Sequence, residues 1–430
     1  MASHAPLSVP SVTLGALWLL LIAGCGNEPR ITDVDALAPA FDALPASTDA
    51  VDLGKAIFFD MDLSRNANQS CASCHDPQWG FTGPIPAINT HGSVYEGSVT
   101  GAFGNRKPPS AAYATQSPIL HWTRQGGGLW LGGNFWDGRA TGEILGNPAA
   151  DQAQGPFLNP REQALADEAC VVYFVSVSTY SGLFRSVWGD AISTVDFGAD
   201  PESTCRSGGT ISLSEADRTT VHQAYDQIGL TIASYEASPE VNAFTSKFDS
   251  YLRHQTQLTK TEKQGLAVFK GKGKCSRCHS VNGRDPLFTD YSYDNLGVPA
   301  NPENPALISE DFVDPGLGGF LKDEDEWGKV KVPTLRNVNK RPTPDTKAYM
   351  HNGVFRSLEL VVHFYNTRDV LSVCGPDVSR DDAQWGVTCW PPPEVEQNVN
   401  RSELGDLGLS PEEEAALVAF LKTLSDGWGS

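Results

Sequence analysis

Apolar residues in this chain recur at helical spacing in several places and seldom alternate as a strand would require. From Val51, the run Leu53-Gly54-Lys55-Ala56-Ile57-Phe58-Phe59 starts a short helix. Thr259 with Glu262 forms a capping box, and Leu266, Phe269 and Lys270 continue behind it at helical spacing. Residues 215–257 read as helical and are expected to bridge two halves of the molecule. The last helix is the best defined: Ser410 caps it, Pro411 takes the first turn, Glu413 completes the box, and Leu417, Phe420, Leu421 and Leu424 face one side. The Gly- and Pro-rich stretches over 80–160 predict long loops wrapped around a site, and the Pro- and acid-rich residues 299–327 predict a surface loop. The expected fold is mostly α with much irregular loop.

The first 25 residues stand apart. Leu14 to Ile22 is apolar but too short to span a membrane, and Ala23-Gly24-Cys25 follows. This predicts a signal peptide over 1–24 ending in a lipobox, with Cys25 lipidated. An ordinary cleaved signal with an incidental cysteine is the alternative. Both versions export the chain to the periplasm, and the only membrane contact is through the lipid anchor. Residues 25–50 then read as a tether. The remaining length suffices for two domains, 51–257 and 258–430. The formal net charge of −20 repels nucleic acid and favours a basic partner, or else serves only solubility.

The chemistry lies in two pentapeptides about two hundred residues apart, Cys71-Ala72-Ser73-Cys74-His75 and Cys275-Ser276-Arg277-Cys278-His279. Cys-x-x-Cys-His attaches a c-type haem: two thiols form thioethers with the porphyrin and the adjacent His binds iron. Zinc would need both cysteine pairs near one metal and would not explain a His after each; a dithiol redox pair leaves the repeated His unexplained too. Both motifs follow a helix and a glycine, an internal repeat. Of nine cysteines, four for haem and one for lipid leave Cys170, Cys205, Cys374 and Cys389. An even remainder in an oxidising compartment suggests two disulfides, and the local pairings Cys170–Cys205 and Cys374–Cys389 are expected, although the sequence leaves the pairing open.

Between the haem motifs stand Asn134-Phe135-Trp136-Asp137-Gly138-Arg139-Ala140 and Gln152-Ala153-Gln154-Gly155-Pro156-Phe157-Leu158-Asn159-Pro160-Arg161-Glu162. Later come Lys331-Val332-Pro333-Thr334-Leu335-Arg336-Asn337-Val338 and Tyr349-Met350-His351-Asn352-Gly353. With these runs the chain resembles the bacterial di-haem cytochrome c peroxidases, including their MauG-like branch, over roughly residues 50 to 425. The resemblance implies two cytochrome c-like haem domains: an N-terminal peroxidatic one with His75 as proximal ligand, and a C-terminal electron-transfer one with His279.

Further roles follow from the resemblance. Glu162 falls at the family's catalytic carboxylate, ten residues after the matching Gln152, and Trp136 at the tryptophan that couples the haems. The segment between Trp136 and Gln152 is longer than in shorter family members. Tyr365 falls where the electron-relay peroxidases place a methionine ligand to the second haem, as in the MauG-like group. A hard phenolate suits oxidised iron, and the three methionines Met1, Met61 and Met350 offer no matching ligand. Arg106 and Arg139 are expected to pair with haem propionates or to lie on the surface. His91 sits in a loop where some relatives close the resting haem with a His, and is read here as a plain loop residue. The family's inter-domain calcium uses an Asn at the place of Lys107. An ammonium there competes with the cation, which argues against calcium; were the ion present, Thr346 and Ala348 would supply carbonyls.

Three activities remain open. The first is reduction of hydrogen peroxide with electrons from a small cytochrome c or cupredoxin. The second is oxidation of side chains in a partner protein. The third is electron carriage without catalysis, which Glu162 disfavours.

Overall fold

The computed structural model describes residues 44–124, 127–342 and 346–429. The leader, Cys25 and most of the tether lie outside the described residues. Helices and irregular loops dominate, and pairing is confined to short pieces: His121–Thr123 with Leu129–Leu131 and Tyr293–Asp294 with Val330–Lys331, both antiparallel, and Ser372–Val373 with Cys389–Trp390, parallel.

Two hydrophobic cores form, one from residues between Leu53 and Val241, the other from residues between Phe248 and Leu424. Each is built on the crossing of two helices. In the first half Thr48–Phe59, capped by Ser47, crosses Glu215–Glu236, capped by Ser214. In the second half Lys260–Lys270 crosses Pro411–Leu421, and both carry the predicted capping boxes, Thr259 with Glu262 and Ser410 with Glu413. A glycine permits each close approach. A Cβ on Gly54 would fall on the carbonyl oxygen of Thr231, and one on Gly265 on that of Ala416. Gly265→Ala is therefore expected to destabilise the second half by about 1–3 kcal/mol through overpacking. A chemical denaturation midpoint equal to that of the native protein would refute this reading of the crossing.

Three expectations need correction. Residues 215–257 do not form one bridging helix. The helix ends at Glu236 and closes the first core; a separate helix, Lys247–Leu252, begins the second. The Gly- and Pro-rich 80–160 region is mostly loop but contains the helix Pro148–Leu158, with Asn147 as its cap and Pro148 in its first turn. Residues 299–327 likewise hold two short helices, Pro305–Glu310 and Gly316–Leu321, and bury Asp314. The sulfurs of Cys170 and Cys205 lie 2.03 Å apart, and those of Cys374 and Cys389 2.02 Å, as the local pairing expected. Among the described residues Cys71, Cys74, Cys275 and Cys278 are the free cysteines.

The halves are joined by buried charge. Tyr113 Oη donates to Asp426 Oδ2 at 2.7 Å across the halves, and within the second half Arg336 and Asp249 form a 2.8 Å pair with both side chains 1% exposed. Arg106 reaches Asp314 and Asp137, each at 2.6 Å.

Candidate haem site and its bridging residues

Cys71–Cys74 is a single helical turn after Ser70, whose backbone N–H donates to Ser73 Oγ at 3.0 Å. This turn brings both thiols to one cavity, and His75 follows with its backbone N–H on Cys71 O at 2.9 Å. His75 Nδ1 lies 3.1 Å from Phe81 O, which makes it the protonated nitrogen and leaves Nε2 as the ligating one. The second motif repeats this: Cys275–Arg277 is a single turn, and His279 Nδ1 lies 2.8 Å from Phe288 O. Burial lowers the pKa of both imidazoles, that of His279 to about 4, so each is the neutral form that binds iron.

The cavities measure about 300 Å³ around Cys71, Cys74 and His75 and about 170 Å³ around Cys275, Cys278 and His279. The two cysteine pairs line different cavities, so they do not share a zinc ion, and among the described residues no group of three His, Cys, Asp or Glu is placed to hold a metal ion. Each cavity combines two free thiols, a His with its outer nitrogen already bonded, and apolar walls. That donor set fits a c-type haem in each.

Glu162 and Gln152 line the first cavity together with His75. Glu162 sits just past the helix Pro148–Leu158 and accepts from Asn159 Nδ2 at 3.0 Å. Burial raises its pKa above the usual carboxylate range, against the opposing pull of Arg139 and Asn159. Gln152 lies on the helix that the sequence did not reveal.

Trp136 lines both cavities, 8% exposed. It is clamped twice: its Nε1 donates to Lys107 O at 2.8 Å, and its own carbonyl accepts from Lys331 N at 2.9 Å. The Lys331 side chain holds the preceding loop through Ser117 Oγ, Gly133 O and Asn134 Oδ1, and burial pushes its ammonium down to about 7. Lys331 lines both cavities too, a part of the wall that the sequence marked only as a motif.

Tyr365, on the helix Leu358–Thr367, lines the second cavity with His279. Burial, then the Cys275 and Cys278 sulfurs and Asp294, hold the phenol protonated; only a facing cation would favour phenolate. His363, two residues earlier, turns to Glu414 at 3.0 Å.

Both arginines line the first cavity. Arg106 commits three guanidinium nitrogens to Asp314 and Asp137, while Arg139 bonds Asp137 at 2.9 Å and covers the Phe135 ring at 3.6 Å. His91 is largely exposed and pairs with Glu303 at 3.1 Å, outside both cavities. Lys107 Nζ donates to Thr82 Oγ1 and Pro108 O at 2.9 and 3.0 Å. Between Thr346 and Ala348, Lys347 Nζ donates to the carbonyls of Trp79, Asn337 and Lys340 at 2.9–3.0 Å. The Thr346 carbonyl itself accepts from Asn89 Nδ2 at 3.3 Å. One residue went unnoticed in the sequence: Glu236, at the end of its helix, also lines the first cavity.

Comparison with known proteins agrees with this geometry. The family profile for di-haem cytochrome c peroxidase matches residues 48–257. The methylamine utilization protein MauG of Paracoccus denitrificans is 34% identical over 99% of this chain and 95% of its own. The cytochrome c551 peroxidase of Nitrosomonas europaea is 28% identical over 83% of this chain and 82% of its own. Among solved structures, the diheme peroxidase BthA of Burkholderia thailandensis superposes with a TM-score of 0.67 at 28% identity, covering 89% of this chain and 87% of that one. Two cytochrome c-like haem halves, two Cys-x-x-Cys-His cavities and full-length similarity lead to one conclusion: this chain belongs to the di-haem cytochrome c peroxidase family, haem oxidoreductases with two c-type haems.

Proposed function

We propose that the first cavity is where this peroxidase reduces hydrogen peroxide, and that the second passes it electrons from a redox partner. The observation that carries this is the shared wall: Glu162 and Gln152 face the His75 cavity, while Trp136 lines that cavity and the Tyr365 cavity at once. Cys71, Cys74 and His75 would hold one haem, and Cys275, Cys278, His279 and Tyr365 the other. Bound there, the haems supply iron that accepts the oxidising power of peroxide and shares it between the halves.

The chain's own residues supply the rest. Glu162, as carboxylate, takes a proton from one peroxide oxygen and returns it to the other, so that water leaves. With Asn159 holding Oε1, Oε2 is the oxygen that moves the proton. Gln152 orients peroxide from the neighbouring helical turn. Trp136, clamped by Lys107 and Lys331, keeps a fixed aromatic path between the cavities. Arg139 keeps positive charge near Glu162, and Arg106 braces Asp137 beside it.

We assign the peroxidatic domain to 51–257 and the electron-transfer domain to 258–430; the first core lies within the former, while the second begins at Phe248, ahead of that boundary. The donor is a small cytochrome c or cupredoxin with a basic face, matched to the net charge of −20. Calcium is not required where the side-chain nitrogens of Lys107 and Lys347 already donate to the carbonyls of Pro108, Trp79, Asn337 and Lys340. The chain is exported to the periplasm and held by a lipid on Cys25. No described helix is long and apolar enough to cross a membrane. A second activity, oxidation of side chains in a partner protein, is favoured by Tyr365 in the second cavity.

One titration tests the assignment. One equivalent of hydrogen peroxide added to the oxidised protein is expected to remove both ferric signals promptly in absorption and electron paramagnetic resonance. Inertness until one haem is reduced would point to a relay peroxidase and against Tyr365 as a ligand.

A further inference from the structure

Glu236 ends the helix Glu215–Glu236, is 3% exposed, and lines the first cavity near Cys71. Its Oε2 has no hydrogen-bond partner among the described residues. A buried carboxyl without a partner is strongly disfavoured, so its presence requires a reason.

The second half shows what the same position needs for folding alone. Gly54 packs on Thr231 O and Tyr235 Cβ; Gly265 packs on Ala416 O and Phe420 Cβ. The Phe58 and Tyr235 rings meet at 5.3 Å and 60°, the Phe269 and Phe420 rings at 5.2 Å and 64°. One helix crossing is thus used twice, and its register sets Glu236, after Tyr235, against Leu421, after Phe420. Leu421 is buried and lines the second cavity. Leucine satisfies the crossing, so the carboxyl answers to something particular to the first cavity.

Charged groups on the neighbouring elements are engaged elsewhere. On Thr48–Phe59, Lys55 pairs with Glu240 at 2.6 Å and Asp52 is exposed. Glu240 also accepts from Tyr235 Oη at 3.1 Å, and Asp60 accepts from Tyr180 at 2.5 Å. On Pro148–Leu158, Asp151 accepts from the backbone of Gly142 and Leu145. On the long helix itself, Asp226 accepts from Gln154, and across the cavity Glu162 accepts from Asn159. The Cys71 thiol faces Glu236 and becomes a neutral thioether once haem is attached.

We propose that Glu236 is a redox-linked proton acceptor of the first haem, taking one proton from solvent as that haem takes one electron. The electron comes from the donor protein that the peroxidase reaction already requires. Iron passes from ferric to ferrous, the carboxylate becomes a carboxylic acid, and the cavity's net charge is unchanged; reoxidation returns both. Uncompensated charge in so buried a place would oppose reduction, and a proton on Glu236 removes that opposition. Burial alone pushes its pKa up to about 8, within reach of neutral solution. The proposal rests on the reading of Cys71 to His75 as a haem site.

The test is the midpoint potential of each haem in the purified di-haem protein across pH values on both sides of about 8. Native protein, Glu236→Gln and Glu236→Leu are compared, with Glu162→Gln as control. In the native protein the first haem's potential should be level below the pKa of Glu236 in the ferric state, about 8, and fall above it by one proton per electron, a tenfold change in its oxidised-to-reduced ratio per pH unit. Both Glu236 variants should lose that slope, Glu162→Gln should keep it, and the second haem should be flat throughout. Glu236→Leu copies Leu421 and covers any folding failure of the amide. A flat native profile with both haems attached, or a slope that survives in Glu236→Gln, would overturn the proposal. Absence of haem at Cys71 and Cys74 would instead overturn the site reading, and the proposal with it.

Discussion

Glu162→Gln, purified with both haems attached, is expected to react with hydrogen peroxide about 10²–10⁴-fold more slowly than the native protein, the usual worth of a positioned proton carrier. The amide matches the carboxylate in shape and can still accept from Asn159, so the change removes proton movement with little disturbance of packing. The pH dependence gives a second reading. Burial raises the Glu162 pKa, and the working form is the carboxylate, so the native rate should fall as pH drops through a value above that of a solvent-exposed glutamate. In the variant that acid limb should vanish. Stopped-flow absorption over a pH series measures both. A rate within threefold of native, or an acid limb that persists in the amide, would remove Glu162 from the mechanism.

The second large effect belongs to Tyr365. Tyr365→Met should change the spectrum of one haem only and raise its potential by on the order of a few hundred millivolts, within the ~0.8 V that axial ligands span. With the thioether in place, rapid loss of both ferric signals on adding peroxide should give way to a requirement for prior reduction. Tyr365→Phe separates ligation from packing, because phenylalanine fills the same space in the second cavity without an oxygen. If both haem spectra survive Tyr365→Phe unchanged, Tyr365 is a wall residue and the side-chain oxidation reading loses its support.

Much of this was legible in the residues because it is local. A Cys-x-x-Cys-His run specifies its own turn and its own ligand, and capping boxes at Thr259 and Ser410 need only four consecutive residues. The helix Pro148–Leu158 escaped because its glycine and prolines resemble loop punctuation, although Asn147 followed by Pro148 is a start signal. The long segment after 215 misled for the opposite reason. Its helical reading suggested a bridge between the halves, yet the face that decides its role is the one turned to Thr48–Phe59.

Sequence by itself determined the chemistry available: two covalent haem sites, four further cysteines enough for two disulfides, and the helices flanking each motif. Tertiary structure alone decided which side chains share a cavity. Trp136 and Lys331 stand nearly two hundred residues apart, and only chain folding places them in the wall between the cavities. Lys347 reads as a surface lysine until three backbone carbonyls are seen around its ammonium. Glu236 reads as the polar end of a helix until the matching crossing at Leu421 shows how little folding requires a carboxyl there. The physical reason is common to all three. Spacing along a chain reports which residue types are near in sequence, whereas desolvation and partner loss depend on what the rest of the chain brings alongside.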